Sequence, residues 1–394
     1  GVATAMVLGG PGALPWMILA AFAGLSTKFA ESMLSVTYRT KDETGRFVGG
    51  PMYTLRRAFP FPRLGNALGS LFAAFAVLAS FGMGNMTQSN SIAASFRETF
   101  GVSEAKTGLI VTILVILTVL GGIRSISRLS LYLVPAMALF YILGAGMVIL
   151  MHLPQLPGGI VQMIRMAFSA QAVAGGVGGS MQEAMRWGVS RGVFSNEAGL
   201  GAGGITAAAA DTDSPVRQAY ISMTGVFFDT IVICSLTGLA LAASGVLGMQ
   251  DENGELLTGA ALTIAAFSTV FGKLGGCFVS MAIAFFAFAT IIAWEYQGEC
   301  AFGFLVKKKR YCLCYRFLYG LLTFAGAVCT LEAVWDFSDI MNGLMVIPNL
   351  LGVLALSGTV CREMNQYERV RRGRDKNCAN WIKECMFLRG RHKK

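Results

Sequence analysis

Apolar runs of close to twenty residues recur along the whole chain, and short polar or glycine-rich segments separate them. A run of this length crosses the roughly 30 Å hydrocarbon core of a bilayer as an α-helix. The pattern predicts a short apolar stub at residues 1–9 and nine spans, at 13–38, 66–96, 107–121, 129–152, 178–210, 217–245, 274–305, 313–332 and 335–360. We therefore expect an all-α polytopic membrane protein.

Other segments are expected at the two membrane surfaces. The glycine-proline motif at 49–53 opens a short amphipathic segment that should lie at the cytoplasmic interface, while 157–175 and 257–272 should form extracellular helical hairpins or re-entrant pieces. The pattern thus divides the chain into a membrane core over residues 1–360 and a basic cytoplasmic tail over residues 361–394.

Charge distribution supports this assignment. Charged residues make up 14% of the chain, whereas a soluble domain carries about a quarter. The net charge of +10 comes from basic residues concentrated at 39–63, 124–128, 307–316 and 362–394. Alternate connections are rich and poor in Lys and Arg, which is the positive-inside pattern and places the loop around Arg46, the Lys307 cluster and the C-terminus in the cytoplasm. Contact with anionic lipid explains the basic tail better than nucleic acid does.

The span 178–210 differs from the others because five glycines fall within residues 192–204. Each costs ~1 kcal/mol relative to Ala in a helix interior. Interrupted backbone at membrane depth is tolerated where it lines a cavity or is buried in protein, and transporters bind substrates and cations at such breaks. We predict a broken helix here; a packing seam of small residues is the alternative. The predicted binding residues of this segment are Phe194, Ser195, Asn196, Gly199 and Gly201.

Two further spans carry candidate ligand groups. Asn85, Gln88 and Ser89 follow helical spacing on one face, and uncharged amide and hydroxyl groups suit a zwitterionic ligand; interhelical hydrogen bonding is the alternative. Thr290 and Trp294 are four residues apart. The threonine hydroxyl suits a small cation and the indole an apolar side chain, although Trp294 fits an interfacial anchor equally well.

Charged residues inside the spans are functional candidates because burial in a membrane is costly. Lys28 and Glu31, three residues apart, fit a structural ion pair. Glu197 lies in the interrupted segment and has three open roles: capping free N–H groups, pairing with Arg191, or positioning a coupling cation. We assign Glu197, Arg191 and Asp229 a structural or coupling role, with no partner for Asp229 evident from the sequence. The remaining members of this set are Arg186, Glu295 and Glu299.

Several motifs, in order along the chain, resemble those of the alanine or glycine:cation symporter family. They are GGPMY at 49–53, GNMTQSNSIA at 84–93, GGIR at 121–124, LVP at 133–135, GVFSNEAGLG at 192–201 and NGLM at 342–345. The resemblance covers residues 1 to about 360.

The resemblance implies a LeuT-type fold of two inverted five-helix repeats in which the first and sixth core helices are broken. The span 178–210 would be core helix six, and residues 1–9 the second half of core helix one. In the family a Gly-Thr-Gly-Asn stretch and a further helix precede that half, so by the family's measure the chain is N-terminally truncated.

Two positions depart from the family pattern. Ala289 replaces a usual serine beside Thr290, and residues 202–204 replace a usual Ser-Ala-Pro. The implied sodium site then consists of Thr290 with backbone carbonyls such as those of Phe286 and Ala287.

The function implied is symport of alanine or glycine with a cation, sodium first, by alternating access. A proton-coupled carrier of the same fold, an integral membrane enzyme and a passive channel are the alternatives. With nine Cys and two His at unsuitable spacings, we expect no enzyme activity and no cofactor besides sodium as coupling ion. The expected setting is a monomer in the bacterial inner membrane, with the amino acid and the lipid bilayer as its partners and no nucleic acid.

Overall fold

The computed structural model describes residues 1–169, 172–174, 177–251, 253–306 and 310–371. Within these ranges the chain is almost entirely helical. The helices are α1 (Val2–Leu8), α2 (Ala13–Thr37), α3 (Pro51–Ala58), α4 (Pro62–Phe81), α5 (Thr87–Phe100), α6 (Glu104–Leu120), α7 (Gly122–Met151), α8 (Leu156–Phe168), α9 (Met181–Asn196), α10 (Ala202–Ala209), α11 (Pro215–Val226), α12 (Ser235–Ala243), α13 (Gly259–Phe271), α14 (Lys273–Val306), α15 (Arg310–Val328), α16 (Leu331–Ala355) and α17 (Ser357–Arg371).

Two of the long helices contain a π-helical insertion. The segment Gly82–Met86 joins α4 to α5, and Phe227–Cys234 joins α11 to α12, without interrupting either helix. A π-helical turn adds a residue to the turn and rotates the side chains that follow it, and such turns occur frequently at functional sites. The sequence pattern did not predict either insertion.

Seven helices of the described chain are long and apolar enough to cross a membrane. They are Ala13–Thr37, Pro62–Phe100, Gly122–Met151, Pro215–Ala243, Lys273–Val306, Tyr311–Val328 and Ala333–Ala355. The other two predicted spans correspond to α6, which has 17 residues, and to the interrupted pair α9 and α10. The protein is therefore a multi-pass membrane protein.

Large apolar side chains on the outer surface fit a lipid environment. Leu139, Leu143 and Leu150 on α7 are 60–65% exposed, and Leu117 on α6 is 66% exposed. In water such a surface would be an aggregation liability, whereas in a bilayer it contacts acyl chains.

Short elements lie between the long helices. α3 matches the predicted interface segment, and α8 and α13 match the helical pieces predicted at 157–175 and 257–272. Two short antiparallel hairpins were not predicted: Thr40–Lys41 with Phe47–Val48, and Ala172–Ala174 with Val177–Gly179. Of the predicted basic tail, residues 361–371 continue helix α17, and 372–394 lie outside the described residues.

The apolar core is divided into clusters, and residues of the interrupted helix pack into two of them. One cluster joins α1, α2, α7, α12, α13 and α14. Another joins α3, α4, α10, α14 and α16, and it includes Leu200 and Trp294. The interruption thus lies inside the helix bundle, and so do the polar groups around it.

Candidate substrate and cation site

The interrupted helix is the centre of the candidate site. α9 ends at Asn196, and α10 begins at Ala202. Between them Glu197, Gly199 and Gly201 have φ angles of 56°, 93° and 77°. Among the described residues Glu197 is the one non-glycine residue with a positive φ, a conformation that disfavours side chains. The predicted break is therefore confirmed.

Side chains from two neighbouring helices bond the peptide groups of the break. The Lys28 ammonium donates to the Asn196 carbonyl over 3.1 Å. The Gly199 N–H donates to Glu31 Oε1 over 2.8 Å, and Asn349 on α16 donates to the Gly199 carbonyl, also over 2.8 Å. Buried peptide groups outside a helix need such partners. More peptide groups of the break are hydrogen-bonded to side chains of the protein than the sequence led us to expect.

Glu197 connects the break to α14. Trp294 Nε1 donates to Glu197 Oε1 over 2.6 Å, and the indole is only 1% exposed. The Trp294 side chain also packs against Gly84 in the first π-helical segment, where an added Cβ would lie 2.4 Å from Trp294 Cβ and Cγ. Trp294 is therefore a buried residue beside the break, and the interfacial-anchor interpretation is wrong.

Asn85 and Ser89 face α15. Asn85 Nδ2 donates to the Tyr319 carbonyl over 2.7 Å, and an added Cβ on Gly326 would lie 2.7 Å from Ser89 Oγ. Asn85 Oδ1 is buried and has no hydrogen-bond partner within the described chain. The Asn85 bond matches the alternative of interhelical hydrogen bonding, whereas Ser89 Oγ donates to the Met86 carbonyl of the adjoining π-helical segment over 3.1 Å.

Gln88 occupies a different environment. It comes one turn after Gly84, the residue against which Trp294 packs, and is only half-buried. Its Nε2 donates to the Met83 carbonyl of the same helix over 3.1 Å. Gln88 therefore makes no bond to a neighbouring helix among those described, unlike Asn85.

The last turn of α9 bonds to the second π-helical segment. Ser195 Oγ donates to Asp229 Oδ2 over 2.5 Å and lies 3.3 Å from Cys234 Sγ. Asn196 Nδ2 donates to Thr230 Oγ1 over 3.1 Å. Asp229, which had no partner evident from the sequence, thus accepts a hydrogen bond from a predicted binding residue.

Arg191 pairs with α16. Its guanidinium bonds both oxygens of Asp339, over 2.6 and 3.3 Å, and lies 4.4 Å from the centre of the Trp335 ring. Trp335 stacks on Phe194 with a centroid distance of 4.7 Å. Of the roles left open for Glu197, pairing with Arg191 does not occur within the described chain. Phe194 is held by its aromatic neighbour beside that ion pair.

Thr290 lies one turn from Trp294 on α14. Its hydroxyl donates to the Phe286 carbonyl over 3.0 Å, and its lone pairs remain able to accept or to ligate a cation. Phe286 and Thr290 are half-buried, whereas Ala287 and Ala289 are buried. Hard oxygen ligands are therefore present on this helix, close to the indole that reaches the break.

Several residues of the site were missed by sequence reasoning. They are Asn349, Asp339, Trp335, Thr230 and Tyr319. Asn349 follows a proline inside an otherwise apolar span, which was a usable signal. Asp339 is a charged residue inside the predicted span 335–360, which was a usable signal too, whereas Trp335 lies near the start of its helix, where tryptophan is ordinary.

Comparisons with known proteins agree with this architecture. The model of the sodium:alanine symporter family matches residues 1–380. The sodium/alanine symporter AgcS of Methanococcus maripaludis is 45% identical over 380 residues, which cover 96% of this chain and 82% of that protein.

Two Bacillus subtilis relatives carry different substrate or ion names. GlnT, named as a probable sodium/glutamine symporter, is 36% identical over 95% of this chain and 76% of its own length. YrbD, provisionally named as a sodium/proton-dependent alanine carrier, is 34% identical over 94% of this chain and 77% of its own. The family model matches nearly the whole chain, and these relatives are 34–45% identical to it. This chain therefore belongs to the sodium:alanine symporter family.

Proposed function

We propose that this chain moves a small neutral amino acid, alanine or glycine, together with sodium by alternating access. The observation that carries the proposal is the interruption between Asn196 and Ala202, buried among polar side chains of four other elements. Family membership supports cation-coupled amino-acid transport in general, and the local geometry supports the choice of a small substrate.

The substrate is proposed to bind between the break, Gln88 and Trp294. Phe194 and Ser195 border this space on the α9 side. Residues without large side chains dominate the break, including Ala198, Gly199 and Gly201. A pocket formed by such residues favours a methyl group or a hydrogen over a longer side chain.

The coupling sodium is proposed to bind at Thr290 Oγ1 with backbone carbonyls such as those of Phe286 and Ala287. Because Thr290 and Trp294 share a face of α14, a cation there would stabilise the helix that contacts the break. Coupling requires that sodium and amino acid each bind more tightly when the other is present, typically by ~1–3 kcal/mol.

A LeuT-type inverted repeat is supported by the order of element lengths. Residues 13–151 contain a long helix, a short one, a very long one with a π-helical segment, and two further helices: α2, α3, α4–α5, α6 and α7. Residues 215–355 repeat the order long, short, long and two further helices: α11–α12, α13, α14, α15 and α16. The interrupted pair α9–α10 precedes the second set, as the short α1 precedes the first.

Proton coupling is the second candidate. Ala289 removes a hydroxyl that the family usually places beside Thr290, and carboxylates at Glu31, Asp229 and Glu197 lie near the break. YrbD, whose provisional name includes both ions, makes this alternative concrete. The two candidates differ in which gradient drives uptake.

Uptake of radiolabelled alanine into proteoliposomes tests the proposal. We expect accumulation with an inward sodium gradient at equal pH on both sides, and saturation with alanine concentration. Accumulation driven only by a pH gradient would replace sodium with protons. Flux that neither saturates nor responds to any gradient would refute the carrier mechanism.

Competition by unlabelled amino acids tests the substrate class. We expect alanine and glycine to reduce uptake of labelled alanine far more effectively than glutamine does. Strong competition by glutamine would place the specificity with that named for GlnT.

A further inference from the structure

A narrow cleft borders Glu31, whose carboxylate also bonds a peptide group of the break. Its cavity volume is about 10 Å³, which is room for one water molecule or one ion, and it is lined by α2, α3 and α16. The polar side chains on its wall are Glu31, Ser35, Thr54 and Asn349. Neither the proposed substrate space nor the proposed cation position at Thr290 uses this cleft.

Three buried oxygens on this wall have no hydrogen-bond partner within the described chain: Glu31 Oε2, Ser35 Oγ and Thr54 Oγ1. The three side chains belong to residues that are 2%, 1% and 4% exposed. A buried polar atom without a partner costs ~1–3 kcal/mol. Three such atoms on residues that line one cleft point to a polar ligand or ion in it.

The other oxygen of Glu31 is already bonded. Oε1 accepts from the Gly199 N–H over 2.8 Å and from Asn349 Nδ2 over 2.6 Å. The ammonium of Lys28 bonds the Asn196 carbonyl instead and lies against Gly203. No cationic nitrogen of the described residues lies within 4.0 Å of the Glu31 carboxylate, so the ion pair predicted from the spacing of Lys28 and Glu31 is not formed.

The charge near the break favours binding of a cation. One ammonium, that of Lys28, is accompanied by the carboxylates of Glu31, Asp229 and Glu197. A buried charge without a partner is strongly unfavourable, so the excess of carboxylates must be balanced. A proton on Glu31 would satisfy only that residue, whereas a metal cation can also accept the Ser35 and Thr54 hydroxyls as ligands. A single carboxylate with two hydroxyls is a poor set for a divalent ion, which takes several carboxylates.

We propose that Glu31 Oε2, Ser35 Oγ and Thr54 Oγ1 bind one sodium ion in the cleft between α2, α3 and α16. Water from the open side completes the coordination. Because the same carboxylate holds the Gly199 N–H, occupancy of this site acts directly on the conformation of the break. The proposal goes beyond the symport mechanism, since it concerns an ion that binds without amino acid.

Sodium-dependent thermal unfolding of the purified full chain, without amino acid, tests the site. Sodium chloride is varied at constant ionic strength with choline chloride. The measurement starts from Thr290→Val, which removes the other proposed sodium ligand. We expect the midpoint of this variant still to rise with sodium, and adding Ser35→Ala with Thr54→Val to weaken the apparent sodium affinity at least about tenfold.

The matched control is Thr107→Val with Thr112→Val in the same background, because these α6 hydroxyls are also buried without partners but lie away from the cleft. This control should keep the sodium response. Equilibrium binding of radiolabelled sodium gives a second readout, with a loss of one ion per chain expected in the Ser35 and Thr54 variant.

An unchanged sodium response in that variant would overturn the proposal. The proposal would also be overturned by a stabilisation that depends on pH alone and disappears in Glu31→Gln. That result would mean that the Glu31 carboxylate binds a proton and not sodium. Neither result concerns gradient-driven uptake, so failure of this site and failure of the symport mechanism are distinguishable.

Discussion

At the scale of single residues, Glu197 combines an unfavourable backbone conformation with a bond that needs its carboxylate. A helix usually ends at such a left-handed position with glycine, which has no Cβ to clash. Glutamate here costs ~1–3 kcal/mol in backbone strain. The 2.6 Å hydrogen bond from Trp294 to the Glu197 carboxylate offsets part of this cost. Glutamate therefore provides a contact to α14 that glycine, the residue with the least backbone strain here, could not make.

Substitution of Glu197 separates these two contributions. Glu197→Ala and Glu197→Gly both remove the carboxylate, but only glycine relieves the strain. We expect the glycine variant to be more stable than the alanine variant by ~1 kcal/mol, measured by thermal unfolding in detergent. Alanine uptake should fall at least about tenfold in both. Equal unfolding midpoints would contradict the assignment of strain.

Residue types were easier to predict than their partners. The interrupted segment and its Glu197 were evident because glycine content and a charged residue are local properties of the sequence. The partner of Asp229 was not, because Ser195 is 34 residues away and is brought to it only by helix packing. The same reason applies to Arg191, whose partner Asp339 lies on a helix near the C-terminal end of the chain.

At the scale of elements, positions and lengths of the long helices followed from the apolar runs. The two π-helical segments did not, because one additional residue per turn leaves the composition of an apolar run unchanged. Gly82–Met86 packs against Trp294 and Phe227–Cys234 bonds the end of α9, so both lie beside the break. The one-face pattern assumed for Asn85, Gln88 and Ser89 started inside a π-helical turn.

Close packing of α14 on the first π-helical segment depends on Gly84. In Gly84→Ala the new methyl group would meet the Trp294 side chain at 2.4 Å and displace the indole from Glu197. We expect a loss of ~1–3 kcal/mol in stability, as for other overpacked cores, together with a marked loss of uptake. Thermal unfolding and proteoliposome uptake measure the two effects.

Gly146→Ala is the matched control, because no atom lies within 4 Å of its added Cβ on helix α7. Alanine should be neutral or slightly stabilising there. Similar losses in both variants would mean that helix flexibility, rather than the indole contact, determines the effect.

The contact between α9 and α16 depends on one ion pair. Asp339→Asn leaves the Arg191 guanidinium, whose side chain is 5% exposed, without its charged partner. We expect a loss on the order of 2 kcal/mol, since Asp339 itself is partly exposed. Glu104→Gln is the control: it breaks the exposed pair with Arg97 and should cost under about 1 kcal/mol. Thermal unfolding of both variants gives the comparison, and equal costs would argue against the structural role of Asp339.

At the scale of the whole molecule, the described helices alternate in direction because short connections join them. With such alternation, the 38–61 connection, the α6–α7 turn and α17 are expected on one side of the membrane. Basic residues are concentrated on that side. That this side faces the cytoplasm stays a prediction from the sequence, which depends on the sum of many charges and not on any particular contact.

Labelling of natural cysteines tests this orientation. Cys329 follows α15 at the side poor in basic residues, Cys361 lies on α17 at the opposite side, and both are exposed. In variants that keep only one of them, we expect a membrane-impermeant maleimide to label Cys329 in intact cells and Cys361 only after permeabilisation. The reverse pattern would invert the assignment.

The bonds of α2 and α16 to the gap between Asn196 and Ala202 limit how this transporter moves. A joint whose carbonyls and amide are tied to Lys28, Glu31 and Asn349 cannot serve as a free pivot for the two half-helices. Both halves and their two anchoring helices should therefore shift as one rigid unit. In the proposed transport cycle, sliding is then expected along α14, where the described bond between the Trp294 indole and the Glu197 carboxylate would break and re-form.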